Sequence, residues 1–230
     1  MLKEFDPFDI FDTEAARLDR FFASLDEEGW ARQSRCAGWS VRDVLAHLAG
    51  EELYNHACLD DDLTGFNTLL DREGVSGYEA FNEWCVRQRR DLPVDEVLAE
   101  WRDRNGETRA RMRALGADAL LETSAGPYPV GLQTFHYDSE LATHADDVSA
   151  PVSAEEQDGR IWWRVQVGIH VLAETGSDAQ VEVEGEQVWV HVNGVTQELT
   201  YPLFVEATVG RIPYDHPVDP RVKAALRVLA

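Results

Sequence analysis

Apolar residues recur at helical spacing through most of the first 150 positions. In TEAARLDRFFAS (Thr13–Ser24), Ala16, Leu18, Phe21 and Phe22 recur at helical spacing, which predicts a helix. Ser40 followed three residues later by Asp43 is a capping box. It predicts a helix from Val41 to about Leu59, with Val44, Leu45, Leu48 and Leu53 as its apolar face. Tyr78–Arg90 and Val94–Ala114 predict two more helices, and the Arg/Glu pairs of the second turn one of its sides to solvent. Gly126-Pro127-Tyr128-Pro129 predicts a break, and a further helix runs from about Leu132 to Val148. Several long helices with few strands point to an up-and-down bundle, an architecture whose core can host a metal site built from facing helices.

The pattern changes after Ser149-Ala150-Pro151. A helix around Gln157–Glu174 precedes two runs, Gln180–Glu184 and Gln187–Val192, that alternate in polarity across Gly185 and predict strands. Tyr201–Val209 fits helix or strand equally, and Arg221–Leu229 fits a short closing helix. The expected fold class is therefore α+β, with a helical domain over residues 1–150 and a small α/β domain over residues 151–230.

Composition narrows the function classes. The 230 residues carry a formal net charge of −22 with no run of Lys or Arg to offset it, a surface that repels phosphate backbones and argues against nucleic acid as a partner. A hydrophobic fraction of 44% is that of a globular chain, yet no apolar stretch approaches the roughly 18–20 residues that span a bilayer, so no membrane partner is expected. MLKEFDPFDIFD lacks the basic-then-apolar order of a signal peptide. Cys36, Cys58 and Cys85 form no CxxC, which fits a reducing cytoplasm and argues against a disulfide scaffold or a thiolate zinc site. A monomer or homodimer is expected.

The candidate chemistry lies in two blocks. His47 sits in CAGWSVRDVLAHLAGEE, and Glu140 and His144 sit in YDSELATHADDV. Glu140 and His144 are four residues apart and share a helix face. A third ligand from a distant helix would complete two imidazoles and one carboxylate, a set that suits zinc or another divalent transition metal and leaves positions open. The plainer readings are a core histidine for His47 and a surface ion pair for Glu140 with His144. His56, Asp138 and Asp147 are alternative ligands, and His136, on the same stripe as Glu140, is the chief rival. Asp43 reads as a helix cap and Trp39 as a packing anchor. Cys36 reads as structural, since a buried cysteine is commonly inert. Arg87, Arg89 and Arg90 form either a solvated face or a receiver for an anionic substrate.

With Cys36, Gly38, Trp39, Ser40, Val41, Asp43, Val44, His47 and Leu48 in the first block and Glu140, His144 and Asp147 in the second, the chain resembles the mycothiol-dependent maleylpyruvate isomerase family. The resemblance implies a DinB-like metal-binding four-helix bundle followed by a short domain similar to sterol-carrier modules. It implies a metal, expected to be zinc, held by His47, Glu140 and His144, and mycothiol as the thiol cosubstrate. It also implies that Arg211, after the hydrophobic run Phe204–Val209, receives an anionic substrate. The activity expected is thiol attack on an electrophilic small molecule, as isomerase or S-transferase. A non-catalytic binding module and a metal-dependent hydrolase are the alternatives.

Overall fold

The Ser40/Asp43 capping box closes in both directions: the Asp43 amide donates to Ser40 Oγ at 3.3 Å and the Ser40 amide donates to Asp43 Oδ2 at 2.9 Å. The helix it starts, Val41–Leu59, buries Val41, Val44, Leu45 and Leu48, as the apolar spacing requires. The computed structural model describes residues 2–229. Within it, Pro7–Pro151 form one unit whose elements are α1 (Pro7–Ala23), α2 (Glu27–Ala31), α3 (Val41–Leu59), α4 (Leu63–Glu73), α5 (Tyr78–Arg89), α6 (Val94–Leu115), β1 (Leu120–Thr123), β2 (Gly126–Pro129) and α7 (Val130–Asp147).

Helix α3 packs against α6 and α5, and α1 packs against α7 and α6. Phe11, Leu18, Phe22, Leu45, Leu48, Trp101, Met112 and Leu141 belong to the apolar core of this unit. A satellite cluster of Val75, Phe81, Trp84 and Cys85 sits beside Leu53 of α3 and Phe66 of α4. Gly50 is what lets α5 approach α3: a Cβ there would lie 2.3 Å from Cys85 Cβ. The charged side of α6 reaches back to α1, where Arg109 and Arg113 pair with Asp12 and Arg102 pairs with Asp19.

Three features of this unit depart from the sequence reading, the first being the short helix α2, begun by Asp26 accepting from the Gly29 amide at 2.8 Å. The Gly126–Pro129 break is a strand, paired antiparallel with β1 from Thr123↔Gly126 to Leu120↔Pro129. Its prolines are tolerated because a two-stranded ribbon leaves one edge of each strand without a partner. Helix α4 is an additional element, begun by Asp62 accepting from the Gly65 amide and ended by Gly74 at φ 67°.

The other unit runs from Val152 onward and includes the N-terminal residues up to Asp6, with a single 3₁₀ turn at Leu2–Glu4 against its first helix. It comprises α8 (Ala154–Glu174), the antiparallel sheet β3 (Gln180–Glu184), β4 (Gln187–Val192), β5 (Val195–Thr200), then α9 (Tyr201–Thr208) and α10 (Pro220–Leu226). Val188, Val190 and Val192 alternate along β4 into a core with Phe204, Val222 and Leu226. The stretch that fits helix or strand is helical from Tyr201, because Thr200 accepts from the Leu203 amide and Pro202 occupies the first turn. Strand β5, VTQELT, escaped the sequence reading because only Leu199 of it is fully buried.

Helices with two small antiparallel sheets make the chain α+β. Among the described residues, no helix is long and apolar enough to cross a membrane.

Candidate metal centre

His47 projects from α3, and Glu140 and His144 project from α7 one turn apart. Both imidazole Nε2 atoms converge on a single carboxylate oxygen: His47 Nε2 is 3.1 Å and His144 Nε2 is 2.9 Å from Glu140 Oε1. The two rings stand edge to face, 4.8 Å apart. His47 is 1% exposed and His144 4%, while the Glu140 side chain keeps 26% of its surface open. The cluster therefore has a closed histidine side and an accessible carboxylate side.

Charge is arranged around this point by helix geometry. Asp147, three residues beyond His144, places Oδ2 3.2 Å from His144 Nδ1. A carboxylate on the outer nitrogen of an imidazole fixes ring orientation and aims the inner nitrogen at the site, as in carboxylate–histidine–metal arrangements. Burial works against charge on Glu140 and His144 alike. Their mutual attraction, with hydrogen bonds from His47 and His144, nevertheless holds the Glu140 carboxyl well below its ordinary value. For His144, burial is outweighed by the Glu140 charge, Asp147 and Cys36, which push the imidazole well above its ordinary value.

The fold gives Cys36 company that the sequence did not suggest. Its Sγ donates to Asp147 Oδ2 at 3.2 Å and lies 3.8 Å from His144 Nδ1. The structural reading of Cys36 passed over these partners, which α7 brings to it from more than a hundred residues away. Sequence reasoning also passed over Glu51. Its Oε2 lies 3.7 Å from His47 Nε2, and its Oε1 accepts from Tyr78 Oη at 3.1 Å. Burial, reinforced by the Glu140 charge, pushes the Glu51 carboxyl well above its ordinary value. The signal was present: His47-x-x-x-Glu51 is the reverse of Glu140-x-x-x-His144.

The other candidates fall elsewhere. His136, the chief rival ligand, faces the hairpin, with Nε2 3.5 Å from Tyr128 Oη. His56 Nε2 contacts the Arg104 carbonyl at 3.1 Å. Asp138 is fully buried on α7 outside the histidine–carboxylate cluster. Asp43 is spent on the cap and on Arg90 at 3.0 Å, and Arg89 donates to Glu100 at 2.7 Å and 2.9 Å, so the Arg87/Arg89/Arg90 run is divided rather than pooled. Trp39 packs its ring 5.1 Å from that of His47 and donates through Nε1 to Glu83 Oε1 at 2.7 Å. Arg211 stands in the C-terminal unit just after α9, half-buried, with Nη1 3.4 Å from the Val209 carbonyl.

One donor atom from each of His47, Glu140 and His144 lies within 4.8 Å of the others. Two nitrogens and one oxygen so disposed, with an outer carboxylate on one imidazole, fit a divalent transition metal.

Comparison with known proteins places these residues in a lineage. The sequence model of the mycothiol maleylpyruvate isomerase N-terminal domain matches residues 11–149, a span that includes His47, Glu140 and His144. Two crystal structures are similar in fold, those of the mycothiol-dependent maleylpyruvate isomerase and of a histidine-to-alanine variant of it. Each is 15% identical with a TM-score of 0.53, over 76% of this chain and 69% of the other. No curated protein sequence matches the chain.

Proposed function

Because the chain belongs to the mycothiol maleylpyruvate isomerase N-terminal domain family, we propose that it is a metal-dependent enzyme that activates a low-molecular-weight thiol, mycothiol, for attack on an electrophilic small molecule. The observation that carries the reading is the convergence of His47 Nε2 and His144 Nε2 on Glu140 Oε1. Those three side chains would hold the metal, expected to be zinc. A divalent cation there supplies Lewis acidity, which lowers the pKa of a thiol and makes thiolate available at neutral pH.

The chain's own residues do the rest. Asp147 keeps the His144 ring turned so that Nε2 faces the site. The buried histidine side keeps water off the donors, and the open Glu140 side is where thiol and electrophile approach. Thiol addition to a cis double bond, rotation about the resulting single bond and elimination of the same thiol give the trans isomer and return the thiol. Release of the adduct instead would be S-transfer. We also take residues 151–230 as a C-terminal domain akin to sterol-carrier modules, with Arg211 as its candidate for receiving an anionic group.

Elemental analysis of the protein purified without chelator, beside His47→Ala and His144→Ala, tests the metal. About one zinc per chain is expected, lost in both variants. Turnover of maleylpyruvate should then require added mycothiol, with conjugate in place of trans isomer marking a transferase. Protein that stays metal-free after reconstitution sinks the reading, and turnover without thiol replaces it with a hydrolase.

A further inference from the structure

Helix α3 offers the site more than His47. One turn on, Glu51 directs Oε2 to within 3.7 Å of His47 Nε2, the same nitrogen that contacts Glu140. Its other oxygen is already held by Tyr78 at 3.1 Å, so the carboxylate is oriented rather than swinging free. Glu140 adds like charge to burial at this carboxyl, while His144 and the Tyr78 hydroxyl offset part of it. Two carboxylates that both approach His47 Nε2, at 3.1 Å and 3.7 Å, are a like-charge arrangement that a cation between them relieves.

We propose that Glu51 is a fourth protein donor to the metal, so that α3 contributes His47 and Glu51 while α7 contributes Glu140 and His144. This rests on the metal reading of the preceding subsection and extends its donor set. The charge arithmetic favours four donors. Two neutral imidazoles and one carboxylate leave a dication with a net charge of +1 in a largely buried site; the second carboxylate neutralises it. Tyr78 is a positioning residue in this arrangement: its hydroxyl holds Oε1 and leaves Oε2 for the metal.

The test is zinc affinity of the full chain, by competition with a chromophoric chelator, alongside the visible spectrum of the cobalt-substituted protein. Glu51→Gln keeps the side chain's shape and removes its charge. It should weaken zinc binding by about 100-fold or more, the upper end of what outer partners of metal ligands provide, and should alter the cobalt bands. Tyr78→Phe should weaken binding by roughly 10-fold while all four donors remain. Zinc affinity within about threefold of wild type in both variants, with unchanged cobalt bands, overturns the fourth donor and leaves the three-ligand site standing. A wild-type chain that takes up neither zinc nor cobalt overturns both proposals at once. If Glu51→Gln does not fold, Tyr78→Phe at an exposed position decides the matter by the same measurements.

Discussion

Glu51 and Glu52 are neighbours on α3, and the helix turns them into different environments. Glu52 is fully buried, and its carboxylate accepts from Asn105 Nδ2 at 2.9 Å and Thr108 Oγ1 at 2.5 Å, both on α6. Glu51 lies 3.7 Å from His47 Nε2 and accepts from Tyr78 Oη at 3.1 Å. Burial raises the pKa of both. For Glu52 the hydrogen bonds from Thr108, Asn105 and Asn55 work against burial, whereas for Glu51 the Glu140 charge adds to it. A carboxylate surrounded by donors ties helices together, whereas the carboxylate beside His47 is the one we propose for a cation.

The comparison is broken most severely by removing the Glu52 acceptor. Glu52→Ala would leave the Asn105 and Thr108 donors without it inside the bundle and open a cavity, at a cost of about 3 kcal/mol in urea unfolding. Zinc stoichiometry of the folded fraction should be unchanged, since Glu52 makes no contact with the donor set in its hydrogen bonds. A loss under about 1 kcal/mol would show that α3 and α6 do not depend on this network.

Gly50, one residue before Glu51, offers an intermediate perturbation. Gly50→Ala places a methyl 2.3 Å from Cys85 Cβ and 2.6 Å from its Sγ, so α5 must move. Overpacking of this kind costs about 1–3 kcal/mol. Because α5 begins with Tyr78, zinc affinity should fall as well, by less than in Glu51→Gln. Equal stability with unchanged affinity would mean that α5 does not set the Glu51 position.

The mildest change concerns pH. A glutamate whose folded pKa is raised destabilises the native state above that pKa, and the penalty is relieved as pH falls and the buried group takes up its proton. Glu52→Gln is neutral throughout and escapes the penalty. Its stability relative to wild type should therefore be most favourable near neutrality and decline as pH is lowered toward the ordinary glutamate value of 4.5. A difference that is flat across this window in urea unfolding would show that Glu52 titrates as in the unfolded chain.

Much of the bundle was legible because its signals are local. Helical spacing and the Ser40/Asp43 box give α3 its limits, and the helix read at Thr13–Ser24 is α1 without Pro7 to Asp12, with Ala16 exposed rather than on its buried face. Strands β3 and β4 follow from alternation across Gly185. The hairpin β1–β2 was hidden because Gly126-Pro127-Tyr128-Pro129 combines the residues that punctuate chains with a pairing only its partner strand reveals. Helix α4 was hidden because none of its residues is fully buried, so its stripe is weak.

What the sequence by itself determined is what one helix can encode: that Glu140 and His144 share a face, that His47 lies on a helix with an apolar face, and that each stands in a recognisable block of neighbours. Only the tertiary structure decided which atoms meet. His136 shares its helix with Glu140 yet turns to Tyr128, while Cys36 and Asp147 close on the outer nitrogen of His144 and Glu51 joins His47. The reason is physical: periodicity fixes direction within an element, whereas distances between α3 and α7 residues depend on how their buried surfaces pack, and no local pattern carries that.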